Sequence, residues 1–239
     1  MNTLRIERRF NGPPDSGNGG YVSGRLAAFI DGPASVRLLV PPPLDTSMNV
    51  RSVDGGVDLG HGDAVVATAR PAELTMDLPA PPTYGQAETA SRSYRGFSWH
   101  PFPGCFVCGP ARAARDGLNL FAGLLPGTNI VAAPWIPDDS LAVDGRVKSE
   151  FLWAALDCPG AFSFDSAIGT ALLLGEITAS LLTPARAGER YVALGWELDR
   201  RGRRHYTGTA LFSDSGNCVA MARSTWFEVP LPGFARRES

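Results

Sequence analysis

The sequence predicts an α+β protein made of two fused units, each a curved antiparallel sheet wrapped around one main helix. Two patterns and the chain's size carry that reading. The hydrophobic period switches from helical to two-residue spacing twice along the chain, at corresponding places. Five letters recur in register with that switch: Val66-Ala67-Thr68-Ala69-Arg70 and Val219-Ala220-Met221-Ala222-Arg223, each in the last strand of its half and each after a Gly-containing turn. The 239 residues, 44% hydrophobic and 19% charged, suit one large or two small domains with a substantial core.

In the first half, residues 4–10 alternate apolar and polar and read as a half-buried strand. The Pro- and Gly-rich stretch 11–20 is a loop. Val22, Leu26, Phe29 and Ile30 then take helical spacing, and Asp31-Gly32-Pro33 stops the helix. Strands are predicted over 35–40, 48–53, 57–59 and 64–70, separated by a Pro run and Gly turns. Residues 79–117, punctuated by six prolines, read as a linker between an N-terminal unit (1–78) and a C-terminal unit (118–239). In the second unit, 118–121 and 130–133 read as strands. Residues 149–157 carry an apolar helical face, ended by Cys158-Pro159-Gly160. A long strand follows over 171–182, with a bulge expected at Gly175. Strands over 191–198, 204–212 and 217–229 complete the repeat. Such an order must bury a helix stripe and one sheet face, which a sheet curved around the helix does, and a second unit covers the open edges.

Formal net charge is −2, with 22 Lys and Arg against 24 Asp and Glu, so no basic excess points to nucleic acid or a membrane surface. No secretory leader or run of about 18 apolar residues is evident. With only Cys105, Cys108, Cys158 and Cys218, the reading is a cytoplasmic protein with reduced thiols. A homodimer is compatible with the exposed edges of a tandem pair.

Residues 18–26 (NGGYVSGRL) resemble the Gly-Gly helix start of hotdog thioesterases, closest to the first half of the double hotdogs of the acyl-CoA thioesterase II type. Residues 174–188 (LGEITASLLTPARAG) resemble the strand and turn that follow the helix in the same superfamily. The resemblance covers both halves but not the linker. It implies hydrolysis of an acyl-CoA or related acyl thioester, with a backbone amide at a helix start polarising the carbonyl and a carboxylate from the partner unit acting as base or nucleophile. Early helical N–H groups are unpaired and sit at the positive end of the macrodipole, which suits an oxyanion.

By the same resemblance, many single-unit members start the helix with His-Gly and carry an acid nine residues later. Here Asn18, Gly19 and Gly20 keep the glycines, but the acid position falls on Ala27. In the second half Asp157 fits the acid position, while the helix start falls on Lys148-Ser149 without glycine. One composite site is therefore expected, with amides from Gly19 and Gly20 and a carboxylate from Asp157. Glu176, with Thr178 two residues on, competes for the acid role, because thioesterase II relatives carry theirs on the long strand. The further Thr and Gln residues of that family find no match here.

Plainer roles are open for each residue. Gly19-Gly20 can serve a tight helix start, Asn18 a helix cap, Asp157 the following turn, and Glu176 a bulge or a buried pair. Phe151, Trp153 and Trp196 suit either an acyl tunnel or the core.

Cys105-Phe106-Val107-Cys108 has zinc spacing with His100 nearby, yet no second pair accompanies it. It reads as a tight turn, and neither a metal nor a cofactor is expected. His61, His100 and His205 show no triad spacing. A Gly-x-Ser-x-Gly elbow and a phosphate loop are both missing. The favoured reading is a thioester hydrolase. A non-catalytic binder of acyl chains or acyl-CoA uses the same crevice, and a hydratase or dehydratase relative is disfavoured because no His lies near Asn18 or Asp157.

Overall fold

The structure is a computed structural model and describes residues 2–231; Met1 and residues 232–239, assigned by sequence to the two expected units, lie outside the described residues. It is mostly antiparallel sheet with few helices. In the first half, β1 (Asn2–Arg5) is followed by α1 (Gly19–Ala27), then β2 (Ala34–Leu38), β3 (Ser47–Val53), β4 (Gly56–His61) and β5 (Ala64–Pro71). The middle segment carries α2 (Tyr84–Ser91). The second half contains β6 (Gly123–Leu124), β7 (Ile130–Trp135), the small hairpin β8 (Ala142–Val143) and β9 (Arg146–Val147), α3 (Ser149–Ala155) and α4 (Cys158–Ala161). The long strands β10 (Thr170–Leu181), β11 (Tyr191–Arg201), β12 (Arg204–Ser213) and β13 (Cys218–Pro230) close it.

Eleven strands form one sheet in the order β1-β3-β4-β5-β2-β10-β13-β12-β11-β7-β6. The two halves meet where β2 pairs antiparallel with β10. The register carries the repeated letters. Ser35 on β2 lies opposite Arg70, the last letter of the first repeat. Thr178 on β10 lies opposite Arg223, the last letter of the second. Ser35 and Thr178 then face each other across the seam.

Helices α1 and α3 lie side by side on one face of the sheet, where Leu26, Val36, Ile177, Ala179, Phe151 and Trp153 share the main core. Gly20 and Gly24 make the approach possible. A Cβ at Gly20 would lie 2.5 Å from Asp157 Cβ and 2.7 Å from the Trp153 carbonyl oxygen, and one at Gly24 2.6 Å from Glu150 Cα. The glycines thus bring the start of α1 against the end of α3, at a separation no side chain permits.

Several sequence expectations need correction. Residues 4–10 are not one strand: β1 ends at Arg5 and a single 3₁₀ turn occupies Arg8–Phe10. The linker contains a true helix, α2, started by a capping box in which Thr83 and Gln86 bond each other's backbone N–H. Ala87 and Ala90 of α2 pack on Ala132, Leu194 and Phe212, covering the sheet face opposite α1 and α3. Residues 118–121 are not a strand: Asn119 takes a φ of 50°, Leu118 and Leu120 donate their N–H groups to the Phe106 and Val107 carbonyls, and the short strand is β6 instead. Cys158-Pro159-Gly160 does not end the helical segment but opens α4, because Pro is suited to a first helical turn. The expected break in β10 is present between Leu174 and Glu176. Among the described residues no helix is long and apolar enough to cross a membrane.

Candidate functional site

The sequence puts an Asn before two glycines at the start of α1, and the fold uses each differently. Asn18 is the N-cap: its side-chain oxygen accepts the Tyr21 N–H at 2.9 Å. That leaves its amide nitrogen to donate at 2.8 Å to Asp157 Oδ2. The Gly20 N–H donates to the same oxygen at 3.0 Å. Asp157 arrives from the second half, at the junction of α3 and α4, and is buried. Its other oxygen, Oδ1, is buried with no partner among the described residues.

Burial pushes the Asp157 carboxyl up to about 7, the Gly20 and Asn18 hydrogen bonds acting against that rise and neighbouring Cys105 adding to it. The structure therefore brings Asn18, Gly20 and Asp157 into direct contact across 137 to 139 positions of sequence. It also revises the expected division of labour. The Gly20 amide is engaged by the carboxylate, so Gly19, the first helical residue, is the glycine with an N–H outside both the helix ladder and the Asp157 contact.

Asn18, Gly19 and Asp157 border a cavity of about 850 Å³, within the range of small-molecule sites. Leu38, Leu172, Leu174 and Phe162 give it an apolar wall. The aromatics singled out by sequence lie elsewhere: Phe151 and Trp153 are buried in the main core, and Trp196 packs on the opposite sheet face.

Glu176 and Thr178 are not brought to this site. Ile177 and Ala179 point into the main core, so their neighbours face the other side of the sheet. There Glu176 Oε2 accepts from Arg37 Nη2 at 2.8 Å and from Nε at 3.1 Å, and Oε1 accepts the Ser35 hydroxyl at 3.0 Å. Thr178 donates to Ser35 Oγ at 3.0 Å. The bulge at Gly175 accounts for the placement, since it shifts the alternation between Leu174, on the cavity wall, and Glu176. Glu176→Gln is expected to change stability by less than about 1 kcal/mol, as for a partly exposed ion pair. Thermal melting checks this.

Sequence reasoning missed the company Asp157 keeps. Cys105, Cys108 and Cys158 are all buried beside it, and Asn18 Nδ2 also lies 3.9 Å from Cys105 Sγ and 4.0 Å from Cys158 Sγ. The available signal was the adjacency of Asp157 and Cys158 in Leu-Asp-Cys-Pro-Gly.

No protein-family profile matches the chain, and no curated protein matches it by sequence. Solved structures do match over nearly its whole length. An acyl-CoA thioesterase II, TesB2, from Mycobacterium marinum is 15% identical with a TM-score of 0.59, covering 97% of this chain and 94% of that one. The tesB protein of Mycobacterium avium subs paratuberculosis is 12% identical with a TM-score of 0.57, covering 90% and 88%. The chain has the hotdog fold of the thioesterases. At these identities the likeness speaks for the fold.

Proposed function

We propose that the chain is two fused hotdog units, spanning about residues 1–78 and 118–239, that hydrolyse an acyl thioester of the CoA type at one composite site between them. The observation that carries this reading is the Asp157 carboxylate of the second half, held by Gly20 N–H and Asn18 Nδ2 at the glycine-rich helix start of the first half, on the wall of an apolar cavity. In this reading the thioester carbonyl sits at the Gly19 amide, where the helix's positive end stabilises negative charge on oxygen. Asp157 Oδ1, which has no partner among the described residues, takes a proton from the attacking water. Water adds to the carbonyl carbon, the C–S bond breaks, and the thiol leaves with a proton, giving the free acid. The acyl chain lies along Leu38, Leu172 and Leu174.

Asn18 is a positioning residue here. Asn18→Ala removes a helix cap, costing about 1 kcal/mol of stability. It also removes one of the two donors on Asp157 Oδ2, a bond to a charged group worth about 1.5–3 kcal/mol. The expected result is a fall in kcat of roughly tenfold or more with little change in KM. A change confined to KM argues against a positioning role.

The function itself is tested by incubating the full chain with acyl-CoAs of graded chain length and following free CoA by chromatography. Release that depends on protein supports the proposal. Saturable binding without turnover across the panel replaces it with the acyl-CoA binder.

A further inference from the structure

The turn Cys105-Phe106-Val107-Cys108-Gly109 folds so tightly that a Cβ at Gly109 would lie 2.5 Å from the Cys105 nitrogen and oxygen. The Gly109 N–H closes it by donating to the Cys105 carbonyl at 2.9 Å. Cys158, some fifty positions later, adds a third sulfur from the start of α4. The ligand atoms of Cys105, Cys108 and Cys158 all lie within 4.8 Å of one another, and Cys105 and Cys158 Sγ are 3.8 Å apart. Tetrahedral zinc with Zn–S bonds of about 2.3 Å sets its sulfurs about 3.8 Å apart. A disulfide, with S–S near 2.05 Å, would use two of the three sulfurs and leave the third buried and idle.

We propose that Cys105, Cys108 and Cys158 bind one Zn²⁺ as three thiolates, with the fourth coordination position open to the cavity that all three cysteines line. Binding releases three thiol protons to solvent and leaves a complex of charge −1. Donors to soften that charge are in place. His100 Nε2 lies 3.3 Å from Cys108 Sγ. His100 Nδ1 accepts the Phe102 N–H at 2.9 Å, which leaves the ring proton on Nε2. His100 therefore donates to the sulfur as an outer-shell group instead of ligating the metal. Asn18 Nδ2 approaches two of the sulfurs from the other side. An open fourth position on zinc accepts water or a thiol. The proposal does not depend on the hydrolytic reading, because metal content is measured without substrate.

The full chain, prepared under reducing conditions and desalted, is expected to hold about one zinc per chain by elemental analysis. Replacement by Co²⁺ should give thiolate-to-cobalt charge transfer and the visible bands of a tetrahedral site. Cys158→Ser should lose both signals. Cys218→Ser, whose thiol lies on β13 outside the cluster, should keep both, as should His100→Gln. Folding of each variant is followed by circular dichroism. The wild-type measurement alone can overturn the proposal: no retained metal from reduced protein offered Zn²⁺, or a Cys105–Cys158 disulfide in freshly isolated protein, sinks it. Loss of cobalt bands in folded His100→Gln sinks the three-thiolate form with an open position.

Discussion

Asp157→Asn is expected to lower kcat/KM for acyl-CoA hydrolysis by about 10³-fold while the protein stays folded. Asn keeps an oxygen where Oδ2 accepts from Gly20 and Asn18, so the contact between the two helix ends survives. What disappears is the group able to take a proton. The same substitution is expected to raise the melting temperature at pH 8. In the fold, burial lifts the Asp157 carboxyl to about 7 from an ordinary value of 3.8. The native state therefore holds its proton more tightly than the unfolded chain. That contribution is complete below about 4 and is lost as pH rises through about 7. Above this range the wild type holds a buried carboxylate with one oxygen unpartnered among the described residues, whereas the Asn variant holds a neutral amide. The stability gain should shrink steadily as pH falls from 8 towards 4. A fully active variant removes Asp157 from the chemistry. A gain that grows on acidification contradicts the burial argument.

The contact of Asn18 and Gly20 with Asp157 was legible in sequence because it depends on local signals that survive folding. Asn-Gly-Gly marks a capped helix start, and an acid at the matching spacing of the second half stands out against Ala27. The repeated five letters lie on the strands next to the seam, β5 beside β2 and β13 beside β10. Glu176 misled because alternation cannot say which face a strand turns to the core. The bulge beside it settles that face, and only the paired strand Ala34–Leu38, with Arg37 opposite, reveals the acid's partner. The linker misled through composition. Its prolines conceal an eight-residue helix whose sole strong signals are Thr83 and Gln86, and whose alanines need a sheet face to cover. The sulfur cluster was hidden for another reason. A Cys-x-x-Cys without a second pair is ambiguous, and the third cysteine lies far along the chain at Cys158, so only tertiary contact completes the set.

The close crossing of α1 and α3 ties stability to the site, and Gly20→Ala is expected to destabilise the protein by about 3 kcal/mol, the upper part of the range for overpacking. The added carbon would meet Asp157 Cβ at 2.5 Å, Trp153 O at 2.7 Å and Ala154 Cα at 3.0 Å. Two of these atoms are backbone, so no rotamer change relieves them and the helices must separate. Separation lengthens the Gly20 N–H contact to Asp157, so activity should fall together with the denaturation midpoint. Helix propensity acts the other way, since Ala is favoured over Gly in a helix by up to about 1 kcal/mol. Gly85→Ala isolates that term: Gly85 also lies in a helix but has nothing within 4 Å of the added carbon. It should leave the protein as stable as before or slightly more so. Opposite signs for the two Gly-to-Ala changes in urea titration identify the crossing as the cause. An unchanged midpoint in Gly20→Ala means that the two helices do not approach this closely.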